Sequence, residues 1–364
     1  MQVFHLAGGE VRESDALPAS ASTDGFVWVA CTHAELQSAL PALQACLQAV
    51  CATPLVDLHV SDLLNQQLPS RHDHTSQYDL MVFRRLVPSD AAARASTTPQ
   101  RRRGPPALRH IETAPVGCVV FDRLLLSVHP EGCPARDACI VRLRPAAADG
   151  AHGVPMSRTP LNPADLMLRL LSLMVDAYLA LRRDLTRQLD HWQAELLAPR
   201  TRFSNWSALL DARLALHGLD EICEDHRTAL LDWSSAVDAW PLESSPAAQR
   251  ERDLLKVRSR DVLEHVERVV RHVQRLEHQI ETTVQMHFNA QSHRTNEIMR
   301  TLTALTAVFL PLNLITGFFG MNFEFLPLVH RETGLWWAVG IMSAVGVAFA
   351  LVLWRKRYLA RSAQ

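Results

Sequence analysis

Charged residues vanish from two late stretches of the chain. None occurs from Thr301 to Phe323, and none from Thr333 to Trp354. A spanning helix needs about 20 mainly apolar residues. The pattern therefore predicts two membrane helices, about 301–320 and 335–354, joined by a short link at 320–334. Lys and Arg gather on the outer flanks: Arg294 and Arg300 before the first span, and Arg355, Lys356, Arg357 and Arg361 after the second. Positive flanks stay inside. Both ends of the chain are expected in the cytoplasm of a cell whose inner membrane holds the hairpin, with the link facing outward and residues 355–364 forming a basic cytosolic tail.

The first predicted span is apolar but not uniform. Asn296, Met299, Thr303, Thr306, Leu310, Asn313, Gly317 and Gly320 recur at steps of three and four, which places them on one helical face. Leu305, Val308, Phe309 and Leu312 fall on the opposite face. An Asn in hydrocarbon is costly unless paired or hydrated. Small and polar residues can serve as packing between spanning helices, and that reading stays open. A stripe running the whole span favours a water-lined path, which two helices cannot enclose, so oligomerisation follows. Pro311 removes one helical hydrogen bond and is expected to bend this helix.

Upstream the periods change. Residues 26–31 (FVWVAC), 77–87 and 116–130 read as strands, and 34–51 as a helix broken or kinked at Pro41. Strands alternating with helices predict an α/β domain over 1–160. The Pro-, Ala- and Arg-rich stretch 88–106 reads as a loop. Its Arg101–Arg103 run lacks interleaved aromatic residues, so no nucleic-acid partner is expected. Leu and Met at helical spacing from Pro163 onward, then a second helical pattern at 204–240, predict a helical hairpin over 161–245. From Ala247 no Pro or Gly interrupts the helical period until Pro311. One stalk helix, 246–323, is expected to run into the first span, roughly 110 Å from 247 to 320. Its apolar stripe is Leu255, Val262, Val266, Val269, Val273, Leu276, Ile280 and Val284.

The formal net charge is −1, so no global field points to nucleic acid. Seven scattered cysteines without CxxC spacing argue for free thiols rather than a disulfide framework or zinc ribbon. The N-terminus lacks the basic start and apolar run of a signal peptide. No Gly-rich phosphate loop, HExxH helix or Ser–His–Asp order stands out, and neither Cys223/His226 nor Cys133/Cys139 has enough nearby ligands for catalytic zinc. No enzyme activity and no prosthetic group are expected.

The segment 294–327, RTNEIMRTLTALTAVFLPLNLITGFFGMNFEFLP, resembles the pore helix and GMN signature of the CorA family of divalent-cation channels. The triplet is Gly320, Met321 and Asn322, placed between two spans after an Asn–Glu–x–Met entry. The similarity reaches 59–86, 120–130 and 260–269. It implies an α/β cytosolic domain, a long helical stalk and two C-terminal spans in a funnel-shaped homopentamer set in a lipid bilayer. The expected activity is passage of hydrated Mg²⁺, with Co²⁺ or Ni²⁺, down the electrochemical gradient. By position, Asn322 would form an outer ring for a hydrated ion, with Glu324 at the mouth. Asn313, Thr306 and Asn296 would be polar rings, and Met299, Leu302 and Leu310 apolar constrictions. Asp261 matches a stalk carboxylate that would bind regulatory Mg²⁺ between subunits. Asp90 is the expected partner carboxylate.

Other features pull toward Zn²⁺ and a zinc-transporting branch of the same family, with proton coupling. Asp261, His265 and His272 share one helical face, His72 and His74 bracket Asp73, and imidazole suits zinc. The loop LPLVHRETGLWWAVG departs from the magnesium type, whereas the Glu after GMNF resembles it. A non-conducting membrane-anchored scaffold or sensor is the reading from another class; Asn322, Asn313 and Asn296 weigh against it.

Overall fold

A computed structural model of the chain describes residues 1–20, 25–87, 111–143, 159–197, 206–240, 245–321 and 332–355. They fall into two compact units, Met1–Glu281 and Thr282–Gln364.

The first unit is built on a seven-stranded sheet, ordered β2-β1-β3-β7-β6-β5-β4. The strands are β1 Gln2–Ala7, β2 Glu10–Ser14, β3 Phe26–Thr32, β4 Arg71–His74, β5 Asp79–Leu86, β6 Thr113–Val120 and β7 Leu124–His129. Every ladder is antiparallel except β3 with β7, which pairs Val27 with Leu124 through Thr32 with His129. β1 and β2 turn at Gly8 and Gly9, both left-handed at φ 57° and 88°. Glycine makes such a two-residue hairpin turn inexpensive.

Both faces of the sheet are covered, so the central strands read as nearly continuous apolar runs, with Ser127 and His129 of β7 among the few buried polar exceptions. On one face Val27, Val29, Cys31, Leu80, Val119, Leu124 and Leu126 pack with Leu36, Leu43 and Leu47 of α1 (His33–Cys51) and Leu63 of α2 (Asp57–Leu64). A Cβ at Gly117 would collide with the Leu63 side chain, so glycine there lets α2 close on β6. α1 begins with a capping box: Glu35 N–H donates to Thr32 Oγ1, and Thr32 N–H donates to Glu35 Oε2. Pro41, where a break or kink was expected, lies inside this one helix.

The opposite face carries α3 (Pro134–Leu143), α4 (Pro163–Leu197) and α5 (Trp206–Ala239). Trp28 is fully buried there, and its indole N–H donates to Ser127 Oγ at 2.7 Å. Asn162 accepts from Asp165 N–H at 2.8 Å, and the Asp165 carboxylate accepts from Leu161 N–H. These bonds satisfy donors at the start of α4. Strands β1, β2 and β4 were not expected from the sequence pattern, and the stretch 116–130, expected as one strand, divides at 121–123 into the antiparallel pair β6 and β7. The expected loop at 88–106 lies outside the described residues.

α6 runs from Pro246 to Phe319. Its stripe from Leu255 to Ile280 is buried in the first unit. Trp233 Nε1 of α5 donates to Ser259 Oγ at 3.0 Å, and Arg258 pairs with the buried Asp165 of α4 at 2.6 Å. In the second unit lie the end of α6 and α7 (Glu332–Arg355).

Candidate functional site

Among the described residues, two helices are long and apolar enough to cross a membrane: α6, through its last turns, and Leu335–Val352 of α7. Among their described residues from Thr301 onward only Ala304 and Ala338 are buried. Leu310 is 67% exposed, Leu314 75% and Trp336 75%. So much exposed apolar surface is untenable in water and matches a lipid-facing or partner-facing role.

The polar stripe stands on this exposed helix. Asn296, Met299, Thr303, Thr306, Leu310, Asn313 and Gly317 are all exposed. Thr303 and Thr306 donate their hydroxyls to Met299 O and Leu302 O, each at 2.8 Å. The hydroxyl proton is thereby held on the backbone, and the lone pairs of Oγ1 remain for an outside donor such as a water hydrating a cation. Thr316 does the same to Asn313 O at 3.0 Å. Pro311 lies inside α6, which continues to Phe319. The helix closes with Gly320 N–H donating to Thr316 O at 2.9 Å. Met321 follows and is exposed. Asn322 and Glu324, expected at the mouth, lie outside the described residues, as does Asp90.

The expected metal ligands of the stalk do not assemble within one chain. Asp261 is exposed, and its Oδ1 stands 4.0 Å from His265 Nε2. Among the described residues no three His, Cys, Asp or Glu side chains group to hold a metal. His272 is turned to Thr186, with Nε2 2.9 Å from Oγ1. Burial, with Arg182 and Arg275 nearby, pushes its pKa down. His72 contacts Asp79 at 3.1 Å and lies edge-on to Trp233, whereas His59 lies 3.5 Å from Asp73. Arg258, a sequence neighbour that could have neutralised Asp261, is committed to Asp165 instead.

Sequence reasoning missed a buried polar junction. Tyr178 Oη and His226 Nε2 both donate to Arg84 O, at 2.8 and 2.9 Å. The His226 ring stacks on Phe83 at 3.9 Å between centroids. Burial drives the His226 pKa down to about 3, so the imidazole is neutral. All seven cysteines are free, and burial raises Cys31, Cys118, Cys139 and Cys223 to about 12, so these thiols are poor ligands and nucleophiles.

Residues 24–357 match the family model described as CorA-like Mg²⁺ transporter protein. The chain is 28% identical over 100 residues to the cobalt/magnesium transport protein CorA of Thermotoga maritima, covering 28% of each chain. It is 27% identical over 150 residues to the magnesium transport protein CorA of Mannheimia succiniciproducens, covering 41% of this chain and 46% of that one. The matched segments thus span less than half of either relative. In fold, the chain is similar to the CorA magnesium transporter of Methanocaldococcus jannaschii, with a TM-score of 0.68, 16% identity and 98% of each chain covered. It is also similar to the full-length CmaX protein, with a TM-score of 0.64, 18% identity, and 98% of this chain and 97% of that one covered. An α/β unit, a long helix reaching an apolar end and a second apolar helix thus recur together, and the match of the family model over most of the sequence shows that this chain belongs to the CorA-like Mg²⁺ transporter family.

Proposed function

We propose that copies of this chain assemble into a homo-oligomeric channel, a pentamer by resemblance, that passes hydrated Mg²⁺ and Co²⁺ through the membrane. The observation that carries the reading is the uncharged polar face of α6, exposed along the apolar C-terminal part of that helix. Mg²⁺ gives up its waters reluctantly. Rings of amide and hydroxyl oxygens from Asn296, Thr306, Asn313 and Asn322 suit an ion that keeps its shell. Neutral rings bind weakly enough to release it. Met299, Leu302 and Leu310 would narrow the path, and Gly320 with Met321 would lead to the Asn322 ring, where Glu324 concentrates cations. An inside-negative potential of 100 mV contributes about 4.6 kcal/mol for a doubly charged ion. Both termini lie in the cytoplasm in this reading.

Names of the relatives support magnesium and cobalt as cargo. Of the histidines weighed for zinc, His72 and His272 are engaged by protein groups, whereas His265 faces Asp261 at 4.0 Å and His74 is exposed. Asp261 would act between copies, where a cytosolic cation could bridge it to a carboxylate of a neighbour and hold the pore shut.

The test is ion uptake into proteoliposomes, comparing Mg²⁺, Co²⁺ and Zn²⁺ under an imposed potential and then under an imposed pH gradient. Potential-driven Mg²⁺ flux lost in Asn322→Ala supports the reading. Zn²⁺ flux that follows the proton gradient replaces the cargo. No flux from folded oligomers leaves a scaffold.

A further inference from the structure

The side of α6 left exposed in the single chain changes chemistry along its length within the first unit. At steps of three and four it presents Leu254, Val257, Asp261, Glu264, Arg268, Arg271, Arg275 and His278, all exposed. After Glu264 the stripe turns basic. Arg271 is paired with Glu267 at 3.1 Å. Among the described residues, no carboxylate lies within ion-pair distance of Arg268 or Arg275. Arg182 of α4 adds to this field: its carbonyl accepts from Thr186 Oγ1 at 3.0 Å, the same hydroxyl that meets His272 Nε2 at 2.9 Å, and, beyond burial, it and Arg275 depress the pKa of His272. Arginine guanidinium presents several donors in a fixed fork suited to phosphate oxygens. Arg268 and Arg275 are seven residues apart, about 10 Å along the axis, a span that one phosphate does not bridge and a chain of phosphoryl groups does.

We propose that the belt Arg268–Arg271–Arg275 on α6, with Arg182 beside it, binds a soluble polyphosphate-type anion. The ligand chemistry is that of an inorganic or nucleoside triphosphate. The surface lies within one chain. Its consequence for flux rests on the transport reading: copies around an axis would repeat the belt, a bare belt would repel a departing divalent cation, and a bound polyanion would remove that barrier.

The experiment uses the full chain in lipid nanodiscs, free of divalent ions, titrated calorimetrically with sodium tripolyphosphate, adenosine triphosphate and orthophosphate. Saturable binding of both triphosphates is expected, weaker at higher salt, with orthophosphate weaker by about tenfold or more. Arg268→Gln/Arg275→Gln should weaken triphosphate binding by about tenfold or more with an unchanged melting temperature. Glu264→Gln should tighten it. Equal affinity in the double variant, or no saturable binding to the wild type, overturns the proposal. Binding of inorganic tripolyphosphate but not the nucleotide restricts the ligand to inorganic chains and still supports the belt. Uptake assays on the same samples separate the two readings, because binding without flux sinks the channel and leaves the belt, whereas flux without binding does the reverse.

Discussion

Tyr178 and His226, on separate helices, donate to one acceptor, the carbonyl oxygen of Arg84 in β5. Two helices are thereby fixed to the same point of the sheet. The contact requires a neutral imidazole, and burial keeps it neutral, with a pKa of about 3. His129, fully buried on β7, is likewise held at about 3, mainly by burial. In the unfolded chain each titrates near 6.5. Below that value the unfolded state takes up more protons than the folded one, so stability is complete above pH 6.5 and falls as pH drops toward 3. Each histidine is expected to remove about 2 kcal/mol by pH 5. Thermal melts of wild type and His226→Gln between pH 7.5 and 5 check this. The variant retains an N–H donor and should show a shallower decline.

Asp165 takes Arg258 at 2.6 Å and Arg169 at 3.1 Å, with only 4% of its side chain exposed. Removing one partner of a buried pair leaves an uncompensated charge. Asp165→Leu should destabilise the chain by about 3–5 kcal/mol. Asp165→Leu combined with Arg258→Met should recover a large part of that loss. Melting temperature and protease resistance of the single and double variants provide the comparison.

The polar face of the first span predicts a graded set of transport defects. Asn313→Leu removes an amide at the centre of the stripe and should lower Mg²⁺ uptake by about tenfold or more. Thr306→Val should act more mildly, because it removes one acceptor oxygen whose proton is already held by Leu302 O, whereas Asn313→Leu removes both an acceptor and two donors. Leu305→Ala, on the opposite face, should leave uptake within about twofold. Proteoliposome uptake normalised to oligomer content distinguishes these outcomes.

Asp261 is exposed in the single chain, and no metal cluster forms around it among the described residues. If it serves between copies, Asp261→Asn should raise the internal Mg²⁺ concentration needed to halt uptake, without changing the melting temperature of the protein. An unchanged inhibition curve would remove it from regulation.

The spans, the long helix and the α/β character were legible because each rests on a long, regular pattern. The strand at Phe26–Thr32 was legible from its β-branched and aromatic run. β1 and β2 carried a usable signal in Gly8–Gly9, an apt hairpin turn. β4, with the sequence Arg-His-Asp-His, carried none; it forms through its ladder to β5 and its cover by α5. Of the break or kink read at Pro41, the break does not occur, since α1 is continuous from His33 to Cys51. The Tyr178–His226–Arg84 junction was illegible because its members lie as much as 142 positions apart in sequence. Among the stalk histidines, spacing indicated a common face but not which rings neighbouring helices would occupy.

The parallel ladder between β3 and β7 has a consequence for synthesis. Trp28 and Ser127, bonded across it, are 99 positions apart. At about 5–20 residues per second, a ribosome needs roughly 5–20 s to deliver the second strand after the first. During that interval β3 has β1 on one side and a bare, strongly apolar edge on the other, the kind that recruits stray strands. Nascent chains should therefore be most dependent on chaperones between the emergence of Phe26–Thr32 and that of Leu124–His129.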